Sequence, residues 1–115
     1  MPADAEFMIT DRLAMRTASD FDNYVYTVVQ SVFGMVNQPV IDKIQDIKQP
    51  TLIVFGANDN LIPNRYLNPG RTIDIAEYGA SKIKNSTLKM IDKAGHFCMF
   101  EKPDECNQAI KDFLK

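Results

Sequence analysis

The stretch that decides the fold is Pro50-Thr51-Leu52-Ile53-Val54-Phe55-Gly56. Four consecutive apolar residues, Leu52 to Phe55, stand between a proline and a glycine that punctuate both ends. So short a run without polar alternation reads as a strand covered on both faces, as in the interior of a parallel sheet. Downstream, Thr87-Leu88-Lys89-Met90-Ile91 forms a second short strand. Between the two, Thr72 is expected to cap a helix that carries Ile73, Ile75, Ala76 and Tyr78 and ends near Gly79. Pro103 then opens a last helix with Cys106, Ala109, Ile110, Phe113 and Leu114 as its buried face. Strand, helix, strand, helix predicts a βαβα unit of the α/β class, with a right-handed crossover. Two strands alone make a marginal sheet in water. The sheet is therefore expected to be incomplete in this chain, with upstream sequence or a partner supplying the remaining strands.

Upstream of Pro50 the pattern is helical. Phe7, Met8, Ile9, Leu13 and Met15 suggest a short first helix. Ser19 or Asp20 can cap a second, in which Phe21, Tyr24, Val25, Val28, Val29, Val32, Phe33 and Val36 line one stripe. Valine is a mediocre helix former, so burial of that stripe is expected to hold the helix. Pro39 suits the first turn of a further short helix with Val40, Ile41, Ile44 and Ile47 on its buried side.

Composition narrows the function classes. In 115 residues, 13 Lys plus Arg face 15 Asp plus Glu, for a formal charge of −2. That balance argues against a nucleic-acid module, which would carry a basic patch. No apolar run approaches the roughly 18 residues needed to span a bilayer, and the first residues lack the pattern of a secretory signal. Cys98 and Cys106 form neither a disulfide framework nor a metal-ligand spacing. A soluble, cytoplasmic globular chain with no bound metal, no nucleic-acid partner and no membrane partner is expected.

Two residues stand where chemistry is placed in such folds, beyond the carboxyl ends of parallel strands. Asp59 lies three residues past Gly56, and His96 lies five past Ile91. If the strands are neighbours, both side chains reach one rim. A carboxylate beside an imidazole fixes the tautomer through Nδ1–H, frees Nε2 to accept a proton and stabilises the resulting cation. His96 is the single histidine of the chain. Taken alone, each residue has a plainer reading: Asp59 as a turn former in Asn58-Asp59-Asn60, His96 as a surface turn residue.

From Ile44 to Leu114 the chain resembles the C-terminal portion of the α/β-hydrolase superfamily. The resemblance rests on Ile47-Lys48-Gln49-Pro50 running through the strand to Gly56-Ala57-Asn58-Asp59-Asn60-Leu61-Ile62-Pro63, then Ala94-Gly95-His96, Phe100-Glu101-Lys102-Pro103 and Phe113-Leu114. It implies that Asp59 is the acid and His96 the base of a nucleophile–His–acid triad, and that Glu101-Lys102-Pro103 opens the terminal helix. Residues 47–115 would be the C-terminal part of the hydrolase core. Residues 1–46 would be a helical segment similar to the cap, or lid, that covers the site in many members. Leu61, Tyr66 and Phe97, near the two candidates in sequence, are candidate substrate-pocket residues, with core packing as the plainer alternative.

The resemblance implies hydrolysis of an ester, amide or related bond of a small-molecule substrate, without a cofactor. The family's nucleophile sits on a Gly-x-Ser-x-Gly turn, or carries Asp in some branches, and no such pentapeptide occurs here. Ser31 falls inside the valine-rich helix, Ser19 is a cap candidate, and Ser81 and Ser86 flank the approach to the second strand. Cys98 stands too close to His96 in sequence to be activated by it, and reads as a small apolar residue. The chain is thus read as a partial hydrolase, either a truncated product or a fragment, which needs the missing N-terminal half of the fold or a partner chain and is inactive by itself. Two alternatives stand beside it: a non-catalytic βα interaction module pairing through its open sheet edge, and, ranked last, a mononucleotide-binding half-domain without a Gly-rich phosphate loop.

Overall fold

The computed structural model describes residues 5–64 and 66–115. The chain divides into two compact units, Met1–Val40 and Ile41–Lys115.

Among the described residues, the first unit holds two α-helices, α1 (Glu6–Met15) and α2 (Phe21–Asn37). The Arg12 guanidinium donates to the Tyr24 hydroxyl and lies 5.9 Å from the centre of its ring, which ties α1 to α2. Asp20 occupies the N-cap position of α2 but makes no capping bond with its side chain. The expected burial of the α2 stripe is not met: no residue of the helix is buried, and Val36 is 71% exposed. The helix rests on its own backbone ladder, with Ser31 Oγ donating to the Thr27 carbonyl at 2.8 Å.

The second unit begins differently from the sequence expectation. In place of a helix from Pro39, the chain makes turns and one 3₁₀ turn, Ile44–Asp46, with Val40 and Ile41 exposed. The reason is composition: Val40, Ile41, Ile44 and Ile47 are β-branched and lose side-chain freedom in a helix, and none of them is buried here to offset that loss.

Strand β1 (Thr51–Gly56) then pairs in parallel with β2 (Ser86–Ile91), in a register that runs from Thr51 opposite Ser86 to Gly56 opposite Ile91. The sheet has two strands and is not closed. Leu52 to Phe55 are consequently half-buried rather than covered on both faces. The crossover contains α3 (Thr72–Lys82). Gly79 lies inside this helix instead of ending it, a tolerated cost of about 1 kcal/mol. After β2 come a single turn that the sequence did not signal, α4 (Cys98–Glu101), and α5 (Pro103–Phe113), with Pro103 in its first turn.

The core is small. Ile91, Ala94, Cys98 and Cys106 form a buried cluster, and Val54 packs against it. Of the face expected on α5, Cys106 is buried, whereas Ile110 and Leu114 are exposed. An open sheet gives α5 little more than a strip of β1 and β2 to cover.

Candidate active site

The in-register parallel pairing ends both strands at the same edge, so the segments after Gly56 and Ile91 leave the sheet side by side. Two backbone bonds then stitch them together: Ala57 N–H donates to the Ile91 carbonyl and Asn58 N–H to the Ala94 carbonyl, both at 2.8 Å. Gly56 is required here. A Cβ on it would sit 2.1 Å from the Gly95 carbonyl oxygen and 2.5 Å from that of Ala94.

This stitching brings Asp59 and His96 into contact. The Asp59 Oδ2 lies 2.9 Å from His96 Nδ1. An ionised carboxylate only accepts, so Nδ1 carries the proton and Nε2 presents its lone pair. The Asp59 side chain is 2% exposed, while that of His96 is 40% exposed. The carboxylate is thus sequestered and the imidazole remains accessible. The His96 ring also meets Phe97 edge-on, with centroids 5.4 Å apart.

A buried carboxylate is costly unless donors surround it. Asp59 Oδ1 accepts the N–H of Leu61 at 2.7 Å and that of Ile62 at 3.1 Å. Burial by itself raises the Asp59 pKa, but the His96 bond and the two backbone N–H groups together outweigh it, and the group is held below its ordinary 3.8. The plain reading of Asp59 as a turn former and the pairing with His96 therefore coexist: one oxygen closes the turn and the other faces the imidazole.

Thr72 takes a part that its expected role as a cap did not include. Arg71 is the N-cap of α3, and the buried Thr72 hydroxyl lies 3.0 Å from the Asp59 carbonyl and 2.8 Å from that of Ile62. It fastens both ends of the acid loop to the start of α3. Asp74 supports this helix start by accepting from the Arg71 backbone N–H at 3.3 Å and from its guanidinium, which holds the Asp74 pKa down.

The three candidate pocket residues sit apart from the described clefts. Leu61 and Phe97 are about half exposed and Tyr66 is 98% exposed. A cleft along Asn58, Asp59, Asn60, Pro63 and Arg71–Ile73 borders the acid, and a larger one between β2 and α5 contains neither Asp59 nor His96. Leu61 reaches the site through its backbone N–H. Cys98 lies in the buried core cluster with Cys106, whose thiol is pushed up by burial, then by the neighbouring Cys98 and Glu105. Among the described residues, no group of three or more His, Cys, Asp or Glu is placed to hold a metal ion. Among them, no helix is long and apolar enough to cross a membrane.

Several known proteins are similar to part of this chain. The chain is 30% identical over 73 residues to 2-hydroxy-6-oxononadienedioate/2-hydroxy-6-oxononatrienedioate hydrolase 2 of Pseudomonas putida, covering 64% of this chain and 22% of that protein. It is 34% identical over 76 residues to a proline iminopeptidase of Thermoplasma volcanium, covering 66% of this chain and 22% of that protein. A pimeloyl-[acyl-carrier protein] methyl ester esterase of Aromatoleum aromaticum is 26% identical over 72 residues, 63% of this chain and 25% of its own length. The crystal structure of a predicted CIB-like hydrolase from Thermoplasma acidophilum superposes with a TM-score of 0.56 at 30% identity, over 67% of this chain and 33% of that one. No family model matches the chain. These relatives are α/β-hydrolases, and the chain resembles the C-terminal portion of that fold. It spans about a fifth to a quarter of the length of the curated relatives it matches.

Proposed function

We propose that this chain contributes the acid and the base of an α/β-hydrolase-type hydrolase, with Asp59 as the acid and His96 as the base. The observation that carries this is the 2.9 Å contact between a buried carboxylate and a half-exposed imidazole at one sheet edge. With a Ser nucleophile, His96 Nε2 takes the hydroxyl proton, Asp59 stabilises the imidazolium, and His96 then protonates the leaving group. With an Asp nucleophile, which attacks as a carboxylate, His96 Nε2 instead takes a proton from the water that cleaves the covalent ester intermediate. The attacking Ser or Asp and the oxyanion donors come from outside these 115 residues, through the N-terminal half of the fold or a partner chain that pairs with the open sheet. One relative is named a methyl ester esterase and another an iminopeptidase. The substrate class is accordingly a small molecule with a cleavable ester, amide or related bond, and no cofactor takes part. Residues 1–46 act as the lid-like segment, and Leu61, Tyr66 and Phe97 line the pocket once the remaining layers are in place. Both cysteines are free thiols, which suits a reducing, cytoplasmic setting.

The test is a chimera in which residues 44–114 replace the matching segment of the Thermoplasma volcanium proline iminopeptidase. Hydrolysis that falls by about 10³-fold or more on His96→Ala supports the proposal. A folded chimera without turnover, or one indifferent to His96→Ala, overturns it. The 115-residue chain alone is expected to leave activated esters uncleaved, and turnover lost on His96→Ala would refute that part. If the chain instead acts only by pairing through its sheet edge, Asp59→Ala and His96→Ala leave its role intact while disruption of β1 at Val54 abolishes it.

A further inference from the structure

We propose that Glu101 is a positioning residue for His96, holding the backbone on both sides of the imidazole so that Nδ1 stays on Asp59; this rests on the reading of His96 as the base. The bonds from Ala57 and Asn58 tie the base loop to the acid loop at Ile91 and Ala94, both before Gly95. The next peptide, which leads directly into His96, is held from the other side: Gly95 N–H donates to Glu101 Oε2 at 2.9 Å. Glu101 is itself anchored just past the histidine, because its own N–H donates to the Phe97 carbonyl at 2.9 Å. One residue therefore closes a ring of backbone around His96, through its side chain on the Gly95 side and its N–H on the Phe97 side. The fit is close, since a Cβ on Gly95 would lie 2.9 Å from Glu101 Oε1. The helix-opening segment Glu101-Lys102-Pro103 thus serves twice, since α5 begins at Pro103 while the Glu101 carboxylate turns back to the loop.

The single histidine makes the test direct. In the 115-residue chain, long-range proton–nitrogen NMR, recorded at a pH where the ring nitrogens give the signals of the neutral form, reads the His96 tautomer, and amide exchange reads Gly95. The wild-type chain is expected to hold the Nδ1–H form with a protected Gly95 amide. Glu101→Ala is expected to shift the population towards the Nε2–H form and to speed Gly95 exchange about tenfold or more. Glu101→Gln keeps an acceptor oxygen without the charge and is expected to preserve both signals. An unprotected Gly95 amide in the wild-type chain overturns the proposal whether or not the alanine variant folds. So does a Glu101→Ala chain with unchanged tautomer and exchange, or a Glu101→Gln chain that matches the alanine variant. An Nε2–H tautomer in the wild-type chain instead overturns the base role of His96, and the Gly95 exchange still reports separately on the Glu101 bond.

Discussion

Replacing Asp59 by Ala and by Asn separates its two jobs. In Asp59→Ala, the N–H groups of Leu61 and Ile62 and the His96 Nδ1 all lose their acceptor. A hydrogen bond to a charged group contributes about 1.5–3 kcal/mol, and a donor left buried without a partner costs about 1–3 kcal/mol. The three are not additive, because His96 and the loop can reach water, so a net loss of about 2–4 kcal/mol is expected. For a unit of this size, that lowers the thermal midpoint by roughly 10–25 °C. Asn keeps an oxygen for the two backbone donors and turns its amide towards His96, so about 1 kcal/mol is lost, while the imidazole is driven to the Nε2–H tautomer.

The pH dependence follows from the depressed Asp59 pKa. Between the folded value, below 3.8, and the ordinary unfolded value, the unfolded chain binds more protons, so stability falls as the pH falls. The contribution of the ionised carboxylate is complete above about pH 4 and is lost as the pH drops through the folded pKa. The stability gap between the wild-type chain and Asp59→Asn should therefore close as the pH falls from about 5 to about 3. Urea denaturation across that range measures it. A gap that stays constant or widens in acid, or an Asp59→Ala chain as stable as Asp59→Asn, would refute the assignment of three donors to this carboxylate.

Thr72→Val keeps the shape of the side chain but removes the hydroxyl that holds the Asp59 and Ile62 carbonyls, and should cost about 1–2 kcal/mol in denaturation, with Thr72→Ser recovering most of it. Gly56→Ala puts a methyl group against the backbone of Ala94 and Gly95, and should destabilise by about 1–3 kcal/mol or more while weakening the NMR signature of the Asp59–His96 bond. Val36→Ser, on the exposed stripe of α2, should change the stability of this chain by less than about 0.5 kcal/mol. A large loss there would mean that the stripe is covered in solution.

The sequence already contained the two strands, because an apolar run between proline and glycine has few other solutions. It also marked Asp59 and His96, since residues just past parallel strand ends share an edge when the register is even, and here Gly56 stands opposite Ile91. Burial was not legible in the same way. The stripe of α2 and the residues Ile110 and Leu114 have the spacing of buried faces, yet they stay exposed, because a periodic pattern states what a segment can cover and not whether a surface is there to be covered. Loop bonds were hidden for a different reason. Thr72 looked like a cap and Glu101 like the opening of a helix, because their bonds join residues whose proximity depends on the path of two loops after the sheet. Local sequence thus determined the two strands and the residue types just past their ends. Only the tertiary structure decided that the Asp59 carboxylate is sealed and the His96 imidazole open, since burial and partner choice depend on groups that meet across 37 residues of chain.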